Sequence, residues 1–338
     1  EKMARNQRKY NTKYNVHAVK LSNEIGSSKA AFETTPIFAM TAIGFAASKT
    51  GILPAESKKY LSNLLLFITS PCMIIGSMTS QTLDAHTFEL MMQIVAGSFV
   101  FFIAAMGISF LIVKLMRCAR DDAGVLMVII TAVNTGFMGF PVTKAIFGNT
   151  YFFLMVIQNI VLNIYLYSMM VYQMNYGFRK KEGIKGMLMP MLNMCTYALI
   201  IGMVLMLLKV QLPDILADFI NTIGDATIPV SMIVVGVQLS ESSIRKMLTN
   251  KRLITASLCN VILIPVLTFL AVNWLPLAPE SKLILIFAAA FPCAVVSTAI
   301  ALKENRNAAL MAEGVAMTTL LSMGTLPVAA ILLMQLYL

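Results

Sequence analysis

Charged residues and the usual ligands of catalytic metals are scarce in this sequence. Only 12% of its residues are charged, and it contains two histidines and five cysteines. No H-E-x-x-H motif or C-x-x-C pair occurs, and the cysteines stand singly at Cys72, Cys118, Cys195, Cys259 and Cys293. Metal and nucleophilic centres need several such groups at defined spacings. The sequence therefore predicts no metal site, no cofactor and no enzymatic activity.

The positive net charge does not have the pattern of a nucleic-acid-binding protein. The formal net charge is +10, but the basic residues lie between apolar segments and do not form a stripe interleaved with aromatic residues. Such a distribution reports membrane topology and contact with anionic lipid headgroups. We therefore expect membrane lipids as partners and no nucleic acid.

Apolar residues dominate the chain. They make up 58% of it, the mean hydropathy is +0.78, and several runs are long enough to span a bilayer. This composition predicts an all-α polytopic membrane protein. We place ten spans, at 33–50, 59–79, 88–113, 122–147, 151–172, 188–209, 215–240, 253–273, 281–302 and 308–337.

The spans fall into two halves of five. A polar, basic tail covers residues 1–31, a first repeat covers 32–172, a short linker covers 173–187, and a second repeat covers 188–338. Leu53-Pro54 in the first half corresponds to Leu212-Pro213 in the second. Because five spans is an odd number, two such repeats must be inverted relative to each other across the membrane.

The fourth span contains residues that break helices. After an apolar lead come Asn134, Thr135, Gly136, Gly139 and Pro141 within eight positions. Proline lacks an N–H and collides with the carbonyl four residues back, while glycine has little preference for the helix. A simple proline kink is the alternative. An unwound backbone inside a bilayer survives only when it is buried in protein or lines a watery cavity.

A similar interruption recurs in the ninth span. Ala288–Arg306 has an apolar lead, Pro292, the small polar residues Ser297 and Thr298, and a basic exit at Lys303 that matches Lys144 of the fourth span. Corresponding interruptions in two halves are typical of the substrate site of a secondary transporter.

Loop charges predict the orientation. Connections 1–2, 3–4, 5–6, 7–8 and 9–10 carry more Lys and Arg than the other four, so we expect them on the cytoplasmic side of the plasma membrane. Both termini are then outside. The basic tail argues against this orientation. We base the predicted orientation on the nine connections, because they outnumber the single tail.

Several motifs resemble the auxin efflux carrier family, which includes plant PIN-type carriers and bacterial permeases of malate or malonate. The motifs are Asn134-Thr135-x-x-Met138-Gly139-x-Pro141, Phe291-Pro292, Lys303-Glu304-Asn305, Thr318-Thr319-Leu320-Leu321-Ser322, Leu326-Pro327 and Ile223-Gly224-Asp225-Ala226-Thr227-Ile228-Pro229. The resemblance implies ten helices in two inverted repeats, with broken helices 4 and 9 crossing at midplane and a scaffold moving against a transport domain. It also implies a small organic anion, such as malate, as cargo. Plant members have a long central loop, so the short linker of this chain is more similar to that of the bacterial members.

The predicted binding residues are those of the two interruptions: Asn134, Thr135, Gly139, Pro141, Pro292, Ser297 and Thr298. Two half-helix N-termini would present free amides, near Phe140 and Val142 and near Ser297 and Thr298, to a carboxylate. The alternative for Asn134 is that it caps the broken helix, and the hydroxyls could bond to the preceding turn.

Two acidic residues are candidates for proton or sodium coupling. Glu313 lies in the tenth span and Asp225 in the seventh, where carboxylates are costly. Asp225 could equally belong to a wet face near the interface. Lys144 could attract anions or simply contact headgroups. Gln158, Asn159 and Asn163 could line the cavity or bond between helices, and we favour the second role.

The sequence therefore predicts a secondary carrier of small carboxylates that works by alternating access. Two alternatives remain: a sodium-coupled organic-anion symporter of the bile-acid-carrier type, and a membrane sensor that binds an anion without moving it. Cargo, direction and oligomeric state stay open, with a homodimer among the alternatives.

Overall fold

The computed structural model describes residues 35–54, 56–178, 193–241 and 244–338. Within those ranges every regular element is a helix. The predicted tail at 1–31 and residues 179–187 of the predicted linker lie outside the described residues.

Ten helical segments follow one another in the described ranges. The first, α1, is helical over 35–49. The others are α2 Ser57–Thr79, α3 Ala85–Leu115, α4 Arg120–Phe147, α5 Asn149–Met174, α6 Met194–Leu207, α7 Asp214–Glu241, α8 Lys251–Asn273, α9 in two halves (α9a Pro279–Ala289 and α9b Val296–Lys303) and α10 Ala308–Tyr337. A short helix, Ile244–Thr249, precedes α8.

Seven of these helices are long and apolar enough to cross a membrane, namely α2, α3, α4, α5, α7, α8 and α10. The α6 helix is apolar but has 14 residues. The protein is therefore an integral, polytopic membrane protein whose described part is all-helical, as predicted.

Three helices contain a π-helical turn just before a proline. The turns are Leu65–Thr69, Thr135–Gly139 and Cys259–Leu263, and each ends two residues before Pro71, Pro141 or Pro265. A proline cannot donate to the helical ladder and pushes away the carbonyl four residues back, so the ladder widens locally. The sequence thus fixes where α2, α4 and α8 are irregular.

The helices pack into two bundles. The first bundle contains α1, α2, α6 and α7, with α2 against both α6 and α7. The second contains α3, α4, α5, α8, α9 and α10, and the first half of α4 lies at its centre. Every residue from Ala123 to Thr131 is buried. A helix that is apolar on all sides belongs inside a bundle.

Glycines bring α1 and α7 into backbone contact. A Cβ atom added at Gly44 would lie 2.4 Å from the carbonyl oxygen of Ile233, and one added at Gly236 would lie 2.1 Å from that of Thr41. Only glycine fits at such a distance, and small residues at helix contacts are typical of membrane bundles.

Contacts between loops identify the two faces of the molecule. The Arg120 guanidinium donates to the carbonyl of Gly177, and that of Arg252 donates to the carbonyl of Arg117. Lys58 pairs with Glu241. Connections 1–2, 3–4, 5–6 and 7–8 therefore meet at one face, which we call the linker face.

The opposite face, which we call the turn face, carries Gly148 between α4 and α5. It also carries the C-terminal end of the chain, because the Tyr337 hydroxyl donates to the Asn273 side chain at 2.8 Å, at the end of α8.

Candidate functional site

The interruptions in α4 and α9 meet inside the second bundle. The first half of α4, α4a, ends at Thr131, and its second half, α4b, begins at Phe140. The α9 chain leaves the helix between α9a and α9b. Across this gap the Asn134 amide donates to the Pro292 carbonyl at 2.8 Å. The two predicted breaks are therefore joined by a backbone hydrogen bond.

A side chain from α8 satisfies the carbonyl end of α4a. The last carbonyls of a helix have no partner within it. Here Asn260 Nδ2 donates to the carbonyl oxygens of Ile130 at 3.1 Å and Ala132 at 3.2 Å, and Asn260 is fully buried. Asn260 therefore replaces the solvent that an exposed helix end would bind.

Helices α5 and α10 support the two breaks in corresponding ways. Asn159 Nδ2 of α5 donates to Thr135 Oγ1 at 2.9 Å. Thr318 Oγ1 of α10 accepts from the Cys293 amide at 3.1 Å. Each interruption thus has a polar partner on the helix that follows it. Thr318 pairs a backbone amide of the α9 break, and Asn159 pairs a side chain of the α4 break.

Asn134 has one paired and one unpaired side-chain atom. Its Oδ1 accepts from the Phe137 amide at 3.3 Å, so Asn134 caps the π-helical turn, as the alternative interpretation expected. Its Nδ2 has no hydrogen-bond partner among the described residues, although the side chain is only 3% exposed. A buried donor without an acceptor costs about 1–3 kcal/mol, so this atom is available to a ligand.

A cavity of about 170 Å³ opens beside Asn134, between the two bundles. The first bundle contributes its wall through α2 and the start of α6, and the second contributes α4, α5 and the α9 break. Its polar lining residues are Ser70, Asn134, Asn159, Asn163, Tyr167 and Asn193, and its apolar ones include Leu65, Phe67, Phe137, Phe140, Leu162 and Val295.

A second, mostly apolar lobe adjoins this cavity. It has a volume of about 370 Å³ and shares Phe140, Asn159, Asn163 and Cys195 with the first. Ile74 of α2, Thr196 and Leu199 of α6 and several α5 side chains complete it. The combined space has one polar region around the asparagines and one apolar region between α5 and α6.

No Lys, Arg, His, Asp or Glu of the described chain lines either lobe. The backbone supplies donors beside the cavity, since Thr135 and Gly136 stand in the first turn of a helical segment, where amides have no acceptor within the helix.

The predicted residues of α4 and Pro292 hold the crossing together. Thr135 bonds to Asn159, and Pro292 accepts from Asn134. A Cβ at Gly139 would lie 3.0 Å from the Thr135 Cβ and 3.4 Å from the Phe291 ring, so Gly139 permits close packing. Pro141 is buried in the first turn of α4b. Of the seven predicted residues, Asn134 alone lines the described cavity.

The expectation of free amides at Phe140, Ser297 and Thr298 was wrong. The Phe140 amide donates to the Thr135 carbonyl. The Ser297 amide donates to the Ala294 carbonyl at 3.1 Å, and the Thr298 amide donates to the Val295 carbonyl at 3.3 Å. The first bond belongs to the π-helical turn of α4, and the other two belong to a tight turn at the start of α9b. The Ser297 hydroxyl contacts Met170 Sδ at 3.4 Å, whereas Thr298 Oγ1 is buried without a partner in the described ranges.

The candidate coupling acids lie away from the cavity. Asp225 accepts from Lys144 Nζ at 2.7 Å, and 62% of its side chain is exposed. Glu313 is partly exposed and forms no ion pair within the described ranges. Neither acid lines the described cavity.

The sequence did not single out Asn260, Asn193 or Ser70. Each lies in or beside an apolar segment without a recurring spacing to other polar residues, so its role cannot be inferred from the sequence. Asn159 lines the cavity and bonds between helices, whereas Asn163 lines the cavity and donates to Asn159 of its own helix. Gln158 is buried and lines neither described lobe.

A comparison with protein families supports the resemblance. A family described as "Membrane transport protein" matches residues 31–330 of the chain. A search of curated protein sequences finds no match. The matched region contains both interruptions and nearly all of the ten helical segments. The chain therefore belongs to the membrane transport protein family, that of the auxin efflux carriers.

Proposed function

We propose that this protein is a secondary carrier of small organic anions, and that its cargo binds beside the crossing of α4 and α9. The unpaired Nδ2 of Asn134 supports this proposal most directly. This donor is buried, it lines a cavity bounded by both bundles, and it lies next to helix amides without internal acceptors. A carboxylate would satisfy all of these groups at once.

The arrangement of the helices supports two inverted repeats of five. Three pairs of residues in corresponding places are each 159 positions apart: Leu53 and Leu212, Lys144 and Lys303, Asn159 and Thr318. Contacts between halves also occur in equivalent pairs. The α3–α9 contact matches α8–α4, α5–α9 matches α10–α4, and α2–α6 matches α7–α1. Two copies of one unit, related by a pseudo-two-fold axis in the membrane, would produce this pattern.

The position of the cavity supports alternating access as the mechanism. Its walls come from two bundles, so a movement of one bundle against the other would change the face to which it opens. The crossing itself is held within the second bundle by Asn134, Asn159 and Asn260. In this mechanism the second bundle moves with the bound anion and the first serves as the scaffold.

The lining favours a monocarboxylate with an apolar body. One region of the cavity offers hydrogen-bond donors, the adjoining lobe is apolar, and no cationic side chain lines either one. A second carboxylate would have to enter the apolar lobe without a counter-charge, which is costly in a low-dielectric site. We therefore expect monocarboxylates to bind more tightly than dicarboxylates such as malate.

Isotope counterflow in proteoliposomes tests the proposal. Vesicles loaded with unlabelled lactate, an indole carboxylate, malate or malonate would be diluted into a trace of the same labelled anion. A carrier accumulates label transiently, and we expect the largest signal from a monocarboxylate. Thermal stabilisation by an anion that shows no counterflow would indicate a sensor, and a strict requirement for sodium would indicate a symporter. Absence of both counterflow and stabilisation for every anion would contradict the proposal.

A further inference from the structure

An ion pair joins the two bundles on the far side of the crossing from the cavity. Lys144 lies on α4b of the second bundle, and Asp225 lies in α7 of the first, just before the irregular residue Ala226. The Lys144 Nζ and Asp225 Oδ1 atoms are 2.7 Å apart. The contact therefore connects the two units that the proposed transport cycle would separate.

The position of this pair along the membrane differs from that of the cavity. On α5 the cavity is lined from Asn159 to Tyr167, in the half of the helix nearer the linker face, and Asn193 begins α6 at that face. Lys144 instead follows Phe140 by one helical turn toward Gly148, at the turn face. The cavity thus lies on the linker-face side of the crossing, and the ion pair lies on the turn-face side.

We propose that the Lys144–Asp225 ion pair is a gate that holds the turn-face side closed while the cavity lies toward the linker face. This inference rests on the carrier function proposed above. In the opposite state, α4b moves away from α7 and the pair is broken. Because Asp225 is 62% exposed, water screens the attraction, and the pair biases the equilibrium between the two states instead of locking one of them.

The chain contains a matched control for this gate. Lys58 of α2 and Glu241 of α7 form an ion pair of the same chemical type, with side chains 35% and 30% exposed. Both helices belong to the first bundle, so relative movement of the bundles leaves this pair intact. Neutralising it removes a surface ion pair without removing a contact between bundles.

The test measures opening at the turn face without relying on transport. The buried Thr143, next to Lys144, is replaced by cysteine in protein whose five native cysteines are replaced by serine or alanine. Its reaction rate with a membrane-impermeant maleimide is measured in proteoliposomes. We expect Lys144→Gln and Asp225→Asn each to raise this rate about two- to fivefold, the effect of an exposed ion pair on an equilibrium. Lys58→Gln should leave the rate unchanged.

The exchanged pair Lys144→Asp with Asp225→Lys should return the rate toward that of the parent. An unchanged rate in both single variants, or an equal increase in Lys58→Gln, would overturn the gate. Faster labelling in a protein that shows no counterflow would support the gate and contradict the carrier function, so the two proposals can fail separately.

Discussion

Single asparagines hold the broken helices in place. Asn134 caps the turn after the first break with Oδ1, and its Nδ2 lies beside the cavity without a partner among the described residues. Asn260 caps the preceding half-helix from α8, and Asn159 holds Thr135. An amide side chain is suited to this role because it both donates and accepts without bringing a charge into the bilayer.

The two functions of Asn134 can be separated by substitution. Asn134→Ala removes the cap and the donor, whereas Asn134→Asp keeps an oxygen that can cap the turn and replaces the donor with a negative charge. We expect Asn134→Ala to change the free energy of unfolding by less than about 2 kcal/mol, because removal of the unpaired donor offsets the loss of the cap. Asn134→Asp should lower it more, because it buries a carboxylate that no cationic side chain faces. Thermal unfolding in detergent measures this. A smaller loss in Asn134→Asp than in Asn134→Ala would show that the cap outweighs the cost of the buried charge.

Asn260 should be needed for stability. Asn260→Ala leaves the carbonyls of Ile130 and Ala132 buried without a donor, which we expect to cost about 1–3 kcal/mol for each group. The control is Asn273→Ala on the same helix, where the amide is exposed. Thermal unfolding of both variants is the measurement. An Asn260→Ala protein as stable as Asn273→Ala would show that the break does not depend on this cap.

Helix irregularity in this chain comes largely from the local sequence. The π-helical turns of α2, α4 and α8 each precede a proline, so the break in α4 was predictable from Gly136, Gly139 and Pro141. Pro292 predicted where the break in α9 lies. It did not predict which hydrogen bonds the residues of the break form. The amides of Ser297 and Thr298 find partners in a turn whose closure depends on tertiary packing.

The contact between α1 and α7 provides a test at the scale of the helices. A methyl group at Gly236 would lie 2.1 Å from the Thr41 carbonyl oxygen, so Gly236→Ala must push the two backbones apart. Gly107 of α3 has no atom within 4 Å of such a methyl group. We expect Gly236→Ala to destabilise the protein by about 1–3 kcal/mol, and Gly107→Ala to be neutral or slightly stabilising.

Chemical denaturation or thermal unfolding of both glycine variants is the measurement. If Gly236→Ala unfolds at the same temperature as Gly107→Ala, the close approach of α1 and α7 does not occur in the folded protein.

At the scale of the whole molecule, connections 1–2, 3–4, 5–6 and 7–8 meet at the linker face. The contacts of Arg120 with Gly177, of Arg252 with Arg117 and of Lys58 with Glu241 join them there, and these connections carry most of the basic residues. We therefore propose that the linker face is cytoplasmic in the plasma membrane.

Cysteine labelling in cells tests this orientation. The native Cys118 lies between α3 and α4 at the linker face, and Gln81→Cys would lie between α2 and α3 at the turn face. With the other cysteines replaced, an impermeant maleimide should label Gln81→Cys in intact cells and Cys118 only after permeabilisation. The reverse pattern would place the linker face outside.

The sequence alone indicated the helical membrane fold, the two interruptions and the family. It could not indicate which groups meet across the molecule. Lys144 and Asp225 are 81 positions apart, and Asn260 is 128 positions from the carbonyl of Ala132 that it caps. The packing of the helices brings such partners together, and a single sequence contains no pattern that links them.

The central claim is that an organic anion crosses the membrane through the site at Asn134. The most direct test is the current of purified protein in liposomes on a solid-supported membrane, challenged with lactate, an indole carboxylate, malate and malonate. We predict a saturable current for a monocarboxylate. In Asn134→Asp protein, assayed at a temperature at which it stays folded, we predict an apparent affinity reduced at least about ten- to hundredfold, because the variant loses a hydrogen bond to a charged group and adds a like charge. An undiminished current in Asn134→Asp would contradict this account of the site.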